Sequence, residues 1–273
     1  MLKRPIPATG EELPVIGLGT YNVFDVRGTP EELAARQAIV NLMVEKAATL
    51  IDTSPMYNRA EKVIGEIVSQ SGLRKKLFLA TKVWTDGKVP GENQMRTSAA
   101  LLNADTIDLM QVHNLRDLDT QMRTIRAWQQ QGKIRYNGIT DYRASALEEL
   151  AAAMHKHRPQ FIQINYSLGE PEAARQVLPL AQDLGIAVIV NRPFVTGRLF
   201  SVVRDRAIPE WASRFAASWG QFFLKFVVGH PAVNAAIPAT SKLEHMLDNL
   251  GAGFGEMPDA AMRQKMLEFM ATL

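Results

Sequence analysis

Tyr57 lies five residues after Asp52 in the run Ile51-Asp52-Thr53-Ser54-Pro55-Met56-Tyr57. Lys82 closes the next apolar stretch, Leu77-Phe78-Leu79-Ala80-Thr81-Lys82, and His113 closes the one after, Ile107-Asp108-Leu109-Met110-Gln111-Val112-His113. An acid, a phenol, an amine and an imidazole thus each sit where a strand-like run ends. Neighbouring strands of a parallel barrel would bring all four to one mouth, a set suited to donating a proton. A free phenol ionises near 10, too high for efficient donation around neutrality. An ammonium about 4 Å away, in an effective dielectric near 20, favours the phenolate by about 4 kcal/mol, or about three pKa units. On this reasoning Tyr57 is expected below its ordinary value. Burial would pull Lys82 down, and Asp52 beside it opposes that drift. His113 can orient a carbonyl oxygen toward the phenol. None of the four is a hydride donor, so a reduction requires a cofactor.

Taken singly, each residue has a plainer use. Asp52 could cap the helix that follows, Tyr57 could be a rim aromatic, Lys82 a solvated charge and His113 a satisfied strand-end histidine. Their recurrence at one strand end after another favours a shared site.

The elements that must position them alternate along the whole chain. Residues 4–14 read as a small hairpin able to plug the lower end of a barrel. Strands are expected at 15–19, 49–52, 77–82, 107–112, 134–140, 161–165, 186–190 and 233–237. The first helix opens with Thr29 as cap, Pro30 at its first position and Glu32 three after the cap, a capping-box arrangement. Further helices are expected at 60–69, 91–102, 119–131, 144–155, 171–184, 212–228 and 242–250, with a terminal helix from Asp259. Eight βα units with no linker predict one domain over residues 1–273. The expected fold class is α/β, a (β/α)8 TIM barrel with an N-terminal hairpin and an extra C-terminal helix. A doubly wound sheet is the alternative, because periodicity alone does not prove closure. Gly17-Leu18-Gly19 lacks the third glycine of a dinucleotide fingerprint, Asn22 standing in its place.

Composition narrows the function classes. The 273 residues are 47% hydrophobic, enough for one large core, and the net charge of +3 comes from scattered basic residues. A nucleic-acid footprint needs a basic stripe or cluster, so no nucleic-acid partner is expected. The chain has no cysteine, which excludes thiolate chemistry. No apolar stretch reaches membrane-spanning length, and no membrane partner is expected. Met1-Leu2-Lys3-Arg4-Pro5 leads into a turn, not an apolar signal core. A cytoplasmic protein is expected, with an exported form and a removed leader left open. A monomer is compatible with these features, and no metal site is expected: His155 and His157 sit near a helix end, where the dipole favours them.

These motifs resemble the aldo-keto reductase superfamily, as a short bacterial-type member, over nearly the whole chain. Gly17-Leu18-Gly19-Thr20-Tyr21 looks like its first-strand signature, and Ile51 to Gly65, with Tyr57-Asn58-Arg59-Ala60-Glu61, like its Asp-plus-Tyr motif. Thr81-Lys82-Val83-Trp84 and Asp108-Leu109-Met110-Gln111-Val112-His113 are similar to its lysine and histidine strands. The resemblance implies that Asp52, Tyr57, Lys82 and His113 form the catalytic tetrad, with Tyr57 as the acid, for reduction of an aldehyde or ketone to an alcohol. It implies a nicotinamide cofactor, NADPH in preference to NADH, and a small-molecule carbonyl substrate. Cofactor contacts are implied for Gly19, Thr20, Tyr21, Asp52, Thr140, Asp141, Gln163, Asn191, Arg192, Pro193, Phe194, Thr240, Ser241, Lys242, His245 and Asn249. Among these, Gln163 matches the residue that holds the nicotinamide carboxamide. Tyr21 and Trp84 are expected in the substrate pocket.

The chain also departs from that pattern. Thr140-Asp141 stands where the family has Ser-Asn, and Asn191 where a stacking aromatic is frequent. Ala239 replaces a common lysine and His245 a common arginine at the adenosine 2′-phosphate. Lys242, the hydroxyls of Thr240 and Ser241 and the helix-start amides are the groups left to read that phosphate. Two rival functions stay open: a nicotinamide-binding regulatory subunit with little turnover, and a metal-dependent barrel lyase or hydrolase, which would want more strand-end ligands than His113.

Overall fold

The computed structural model describes residues 1–273. Two short strands, β1 (Lys3–Pro5) and β2 (Glu12–Pro14), pair antiparallel as the expected hairpin. Eight strands follow: β3 (Leu18–Gly19), β4 (Leu50–Asp52), β5 (Phe78–Val83), β6 (Ile107–His113), β7 (Ile134–Asp141), β8 (Phe161–Asn165), β9 (Ala187–Asn191) and β10 (Ala235–Ala236). They are hydrogen-bonded in chain order, each pair parallel. The two edges meet. Ile16 bridges Ala236 and Gly19 bridges Ala239, both parallel, and the Gly17 N–H donates to the Ala236 carbonyl at 2.9 Å. A closed (β/α)8 barrel results, and an open doubly wound sheet is ruled out.

The first and last barrel strands are shorter than their sequence periods suggest. At this seam the chains run too close for a side chain, since a Cβ on Gly19 would lie 2.7 Å from the Ile237 carbonyl. On the other side of the same strand a Cβ on Gly17 would lie 2.8 Å from the Leu50 carbonyl. Glycine permits the approach, and the regular ladder narrows to two residues on each side.

The helices are α1 (Pro30–Glu45), α2 (Ala60–Ser71), α3 (Lys88–Leu101), α4 (Leu118–Gln130), α5 (Leu147–His157), α6 (Val177–Leu184), α7 (Arg198–Val202), α8 (Trp219–Val228), α9 (Leu243–Gly251) and the terminal α10 (Ala260–Ala271). Thr29 and Glu32 form the capping box in full. Two expected helices start later than their composition suggests. The segment from 171 opens as a 3-10 turn, Glu172–Arg175, and breaks at Gln176 (φ −136°, ψ −55°) before α6. The segment from 212 stays irregular until Ser218, whose extended backbone and side chain, accepting from the Gln221 N–H, start α8 there. The short α7 lies in what the sequence suggests is a plain loop.

Side chains alternate in and out along each strand, so residues two apart share the barrel interior. Leu50, Ala80, Leu109, Tyr136 and Phe161 form an apolar inner layer, closed below by Ile6 and Leu13 of the hairpin segment. The next inward positions are Asp52, Lys82, Gln111, Gly138 and Gln163. A polar layer thus rests on an apolar one, where barrel interiors are usually branched aliphatic.

The seam generates a stability prediction. Gly19→Ala forces a methyl group against backbone that cannot rotate away, and overpacking of this kind costs about 1–3 kcal/mol. Calorimetry should show Tm several degrees below wild type; an unchanged Tm would show that the seam opens without cost.

Candidate active site

Lys82, at the inner face of β5, donates from Nζ to Asp52 Oδ1 at 2.6 Å and to the Thr53 carbonyl at 2.7 Å. Both charged side chains are buried, at 1% and 3% exposure. Burying an ion costs several kcal/mol after relaxation, and the pair's attraction repays this only when the remaining lone pairs are satisfied. They are satisfied here. Asp52 Oδ2 accepts from Gln163 Nε2 at 2.8 Å and from Gln111 Nε2 at 3.1 Å, and the Thr20 hydroxyl donates to the Asp52 carbonyl at 2.9 Å.

Tyr57 stands over this pair, with Lys82 Nζ 5.1 Å from its ring centroid. The loop is pinned by the Tyr57 N–H donating to the Ser54 carbonyl at 3.0 Å and by Asn58 Nδ2 donating to Asp25 Oδ2 at 2.7 Å. Burial pushes the Tyr57 phenol above its ordinary value; Lys82 opposes this, and Asp52 adds to it. The expected lowering is therefore corrected: burial is the largest influence on the phenol, and Lys82, opposed in part by Asp52, does not offset it. For Lys82 itself burial pulls downward, but Asp52 and Tyr57 outweigh it, and the ammonium ends above its ordinary value. The lysine stays charged, as the sequence suggested.

His113 ends β6 at the same mouth, its ring 6.2 Å from that of Tyr57 and nearly perpendicular to it. Burial, with the Lys82 charge adding to it, pushes this imidazole down to about 3. It is neutral at ordinary pH. Ser54 Oγ lies 3.3 Å from its Nδ1.

Above the pair opens a cleft of about 1090 Å³. Its wall includes Gly19, Thr20, Tyr21, Asp52, Tyr57, Trp84, His113, Thr140, Gln163, Asn191, Arg192, Pro193, Phe194, Thr240, His245 and Asn249. Tyr21 meets Tyr57 edge-on at 5.1 Å, and Trp84 is covered by the Arg116 guanidinium at 4.4 Å. Three expected contacts are not on the wall. Asp141 is buried, and Arg143 engages it through its backbone N–H (2.8 Å), Nε (3.0 Å) and Nη2 (2.6 Å). Ser241 and Lys242 are exposed beyond the rim, and the Lys242 N–H already donates to the Thr240 hydroxyl at 3.1 Å.

The cleft also contains residues that the motifs do not reveal. Asp248 accepts from the Ser218 hydroxyl at 2.5 Å and from Gln221 Nε2 at 2.9 Å, and Phe200 and Trp219 add aromatic wall. These partners are far apart in sequence and carry no local signal. Gln111 is different: it lies two positions before His113 on one strand, so the period of two places it inward, against Asp52. Three buried polar atoms on this wall lack any partner in the protein, Asn114 Oδ1, Asn191 Oδ1 and Arg192 Nε. Arg192, Val195 and Thr196 hold positive φ (49°, 49° and 53°), a strained backbone of the kind that clusters at ligand-binding loops.

The neutral state of His113 yields a pH prediction. In the unfolded chain an imidazole gains its proton as pH falls through about 6.5. In the native chain that uptake waits until about 3. This contribution to stability is fully present above 6.5 and is lost progressively below it, at up to about 1.4 kcal/mol per pH unit. Urea unfolding at pH 6.5 and pH 4 should show a smaller fall for His113→Asn than for wild type. Equal falls would mean that the imidazole is protonated in the native state.

Residues 15–264 match the Aldo/keto reductase family. The chain is 31% identical over 260 residues to the methylglyoxal reductase YeaE of Escherichia coli (strain K12), covering 91% of this chain and 89% of that protein. An aldo-keto reductase from Klebsiella pneumoniae, solved in complex with NADPH, superposes with a TM-score of 0.82 at 25% identity, covering 99% of this chain and 96% of the other. A second Klebsiella pneumoniae structure, with NADP and acetate, has a TM-score of 0.80 at 24% identity over 96% and 93% of the two chains. With a match over most of its length and a relative at this identity, the chain belongs to the aldo/keto reductase family.

Proposed function

We propose that this protein is an NADPH-dependent oxidoreductase that reduces an aldehyde or ketone to an alcohol, with Tyr57 as the proton donor. One observation carries the reading: a buried, hydrogen-bonded Asp52–Lys82 pair lies beneath a phenol and a neutral imidazole on the wall of a single large cleft. The relative named methylglyoxal reductase and the Klebsiella pneumoniae complexes with NADPH and NADP support the substrate class and the cofactor.

The residues present fit a dinucleotide. Gln163, Thr140 and Asn191 offer amides and a hydroxyl at the Tyr57 end, and the unpartnered Asn191 Oδ1 and Arg192 Nε are poised for a polar ligand. Thr240, His245 and Asn249 line the wall farther along the chain. The bound nicotinamide supplies the hydride. Tyr57, fully protonated near neutrality because burial holds its pKa up, gives its proton to the carbonyl oxygen, and Lys82 stabilises the phenolate as it forms. His113, neutral, donates a hydrogen bond that orients that oxygen. The rival metal-dependent chemistry is less favoured: the strand ends carry one imidazole, His113, and the Asp52 carboxylate is committed to Lys82, Gln111 and Gln163.

Tyr57→Phe should lower turnover of a small aldehyde by about 10²–10⁴ while NADPH affinity changes little, because the cofactor is held mainly by other residues. Rates from nicotinamide absorbance, with cofactor Kd from fluorescence, test this. A variant that keeps wild-type turnover would remove Tyr57 from the mechanism, and cofactor binding without turnover in the wild type would favour the regulatory alternative.

Cofactor choice follows from the rim. With Ala239 and His245 in place of cations, and Lys242 beyond the wall, discrimination against NADH should be modest. A guanidinium binds phosphate in a fixed two-pronged geometry that neither an imidazole nor a mobile lysine reproduces. His245→Arg should tighten NADPH by about tenfold or more and leave NADH unchanged, whereas Lys242→Ala should weaken NADPH by less than about fivefold. Fluorescence titration of both cofactors checks this; equal gains for the two would show that position 245 does not face the 2′-phosphate.

A further inference from the structure

The His113 ring is held by the protein along one edge only. Ser54 Oγ lies 3.3 Å from Nδ1, while no protein group bonds Nε2 and the ring lines the cleft. Counting donors decides which nitrogen carries the proton. Ser54 is fully buried, and its Oγ already accepts the Met56 N–H at 3.1 Å, a short-range turn of the type serine favours. A buried hydroxyl still has one hydrogen to place, and leaving it without an acceptor is unfavourable. The only other hydrogen-bond neighbour of this Oγ is His113 Nδ1.

We propose that Ser54 is a positioning residue that sets the tautomer of His113: its hydroxyl, fixed by the Met56 N–H, donates to Nδ1, so the single proton of the neutral ring sits on Nε2 and is presented to the carbonyl oxygen. In a neutral imidazole the hydrogen bond made by one nitrogen dictates the role of the other. The same residue also anchors the acid, since its backbone carbonyl accepts the Tyr57 N–H at 3.0 Å. One buried serine in the turn after β4 therefore fixes both groups that meet the substrate oxygen, Tyr57 through its backbone and His113 through its side chain. The role of Ser54 toward substrate rests on the carbonyl-reductase reading; its control of the tautomer does not.

Long-range proton–nitrogen correlation spectra of the free protein, labelled with ¹⁵N in histidine, read the tautomer directly. The His113 signals are assigned by their loss in His113→Asn. Wild type should show Nε2 protonated and Nδ1 as an unprotonated, hydrogen-bonded nitrogen. A protonated Nδ1 would overturn the proposal, because Ser54 would then be the acceptor. In Ser54→Ala the Nδ1 resonance should move toward that of an unbonded ring nitrogen, and kcat/KM for a small aldehyde should fall by about tenfold. That is less than the 10²–10³ typical of removing a donor outright. NADPH affinity should hold within about twofold, and Ser54→Thr should restore both signal and rate. An unmoved Nδ1 resonance in the alanine variant would also overturn it. The expected spectra without turnover of any carbonyl would refute the function and leave the tautomer assignment standing.

Discussion

A buried ion pair between Asp52 and Lys82 is the constraint around which the upper barrel is arranged. An isolated charge in such a position would cost several kcal/mol, a large share of a domain's stability margin, and breaking one partner of a buried pair costs about 3–5 kcal/mol. The barrel meets this with short bonds: Nζ to Oδ1 and to the Thr53 carbonyl, and two glutamine amides to Oδ2. Gly138 makes room for this layer, since a Cβ there would crowd Gln111 Cγ at 3.1 Å. Apolar residues in the layer below keep water out. Hydrophobic side chains could fill the same space at no loss of stability, so the pair is better explained by what it does to the groups above it.

Those groups sit in opposed electrostatic surroundings. The half-buried phenol is raised by its loss of water, while the ammonium beneath it favours the phenolate. The imidazole loses its charged form altogether and becomes a neutral donor. Because burial outweighs the ammonium, which Asp52 holds in place and partly opposes, Tyr57 is not ionised in advance. In the proposed reduction it keeps its proton near neutrality and meets a stabilising cation as negative charge develops. On that reading the arrangement is electrostatic preorganisation.

Much of this was legible in the residues. Asp52, Lys82 and His113 close apolar runs whose period of two points them into one barrel, and Tyr57 follows one of them by a single loop. The capping box at Thr29 and the hairpin before Val15 are local, and local chemistry decides them. Other features depend on distances that no spacing encodes. The direction of the Tyr57 shift turns on how closely Asp52 binds Lys82 and on how much water the ring loses. Residues 212–218 have composition suited to helix, yet Ser218 starts α8 only where its side chain finds the Gln221 N–H. Lys242 adjoins cleft residues in sequence but, at the start of α9, falls outside the wall. Asp141 reads as a cofactor contact from its motif, and no spacing encodes that Arg143, two residues on, engages its carboxylate.

The most direct test is the ionisation of Tyr57 itself, followed as the tyrosinate absorbance of wild type minus that of Tyr57→Phe across alkaline pH. With burial outweighing Lys82, the phenol should ionise above the ordinary value of about 10, and higher still in Lys82→Met. Ionisation at or below about 10 in the wild type, or a midpoint that does not move when the lysine is removed, would contradict control of the phenol by the buried pair.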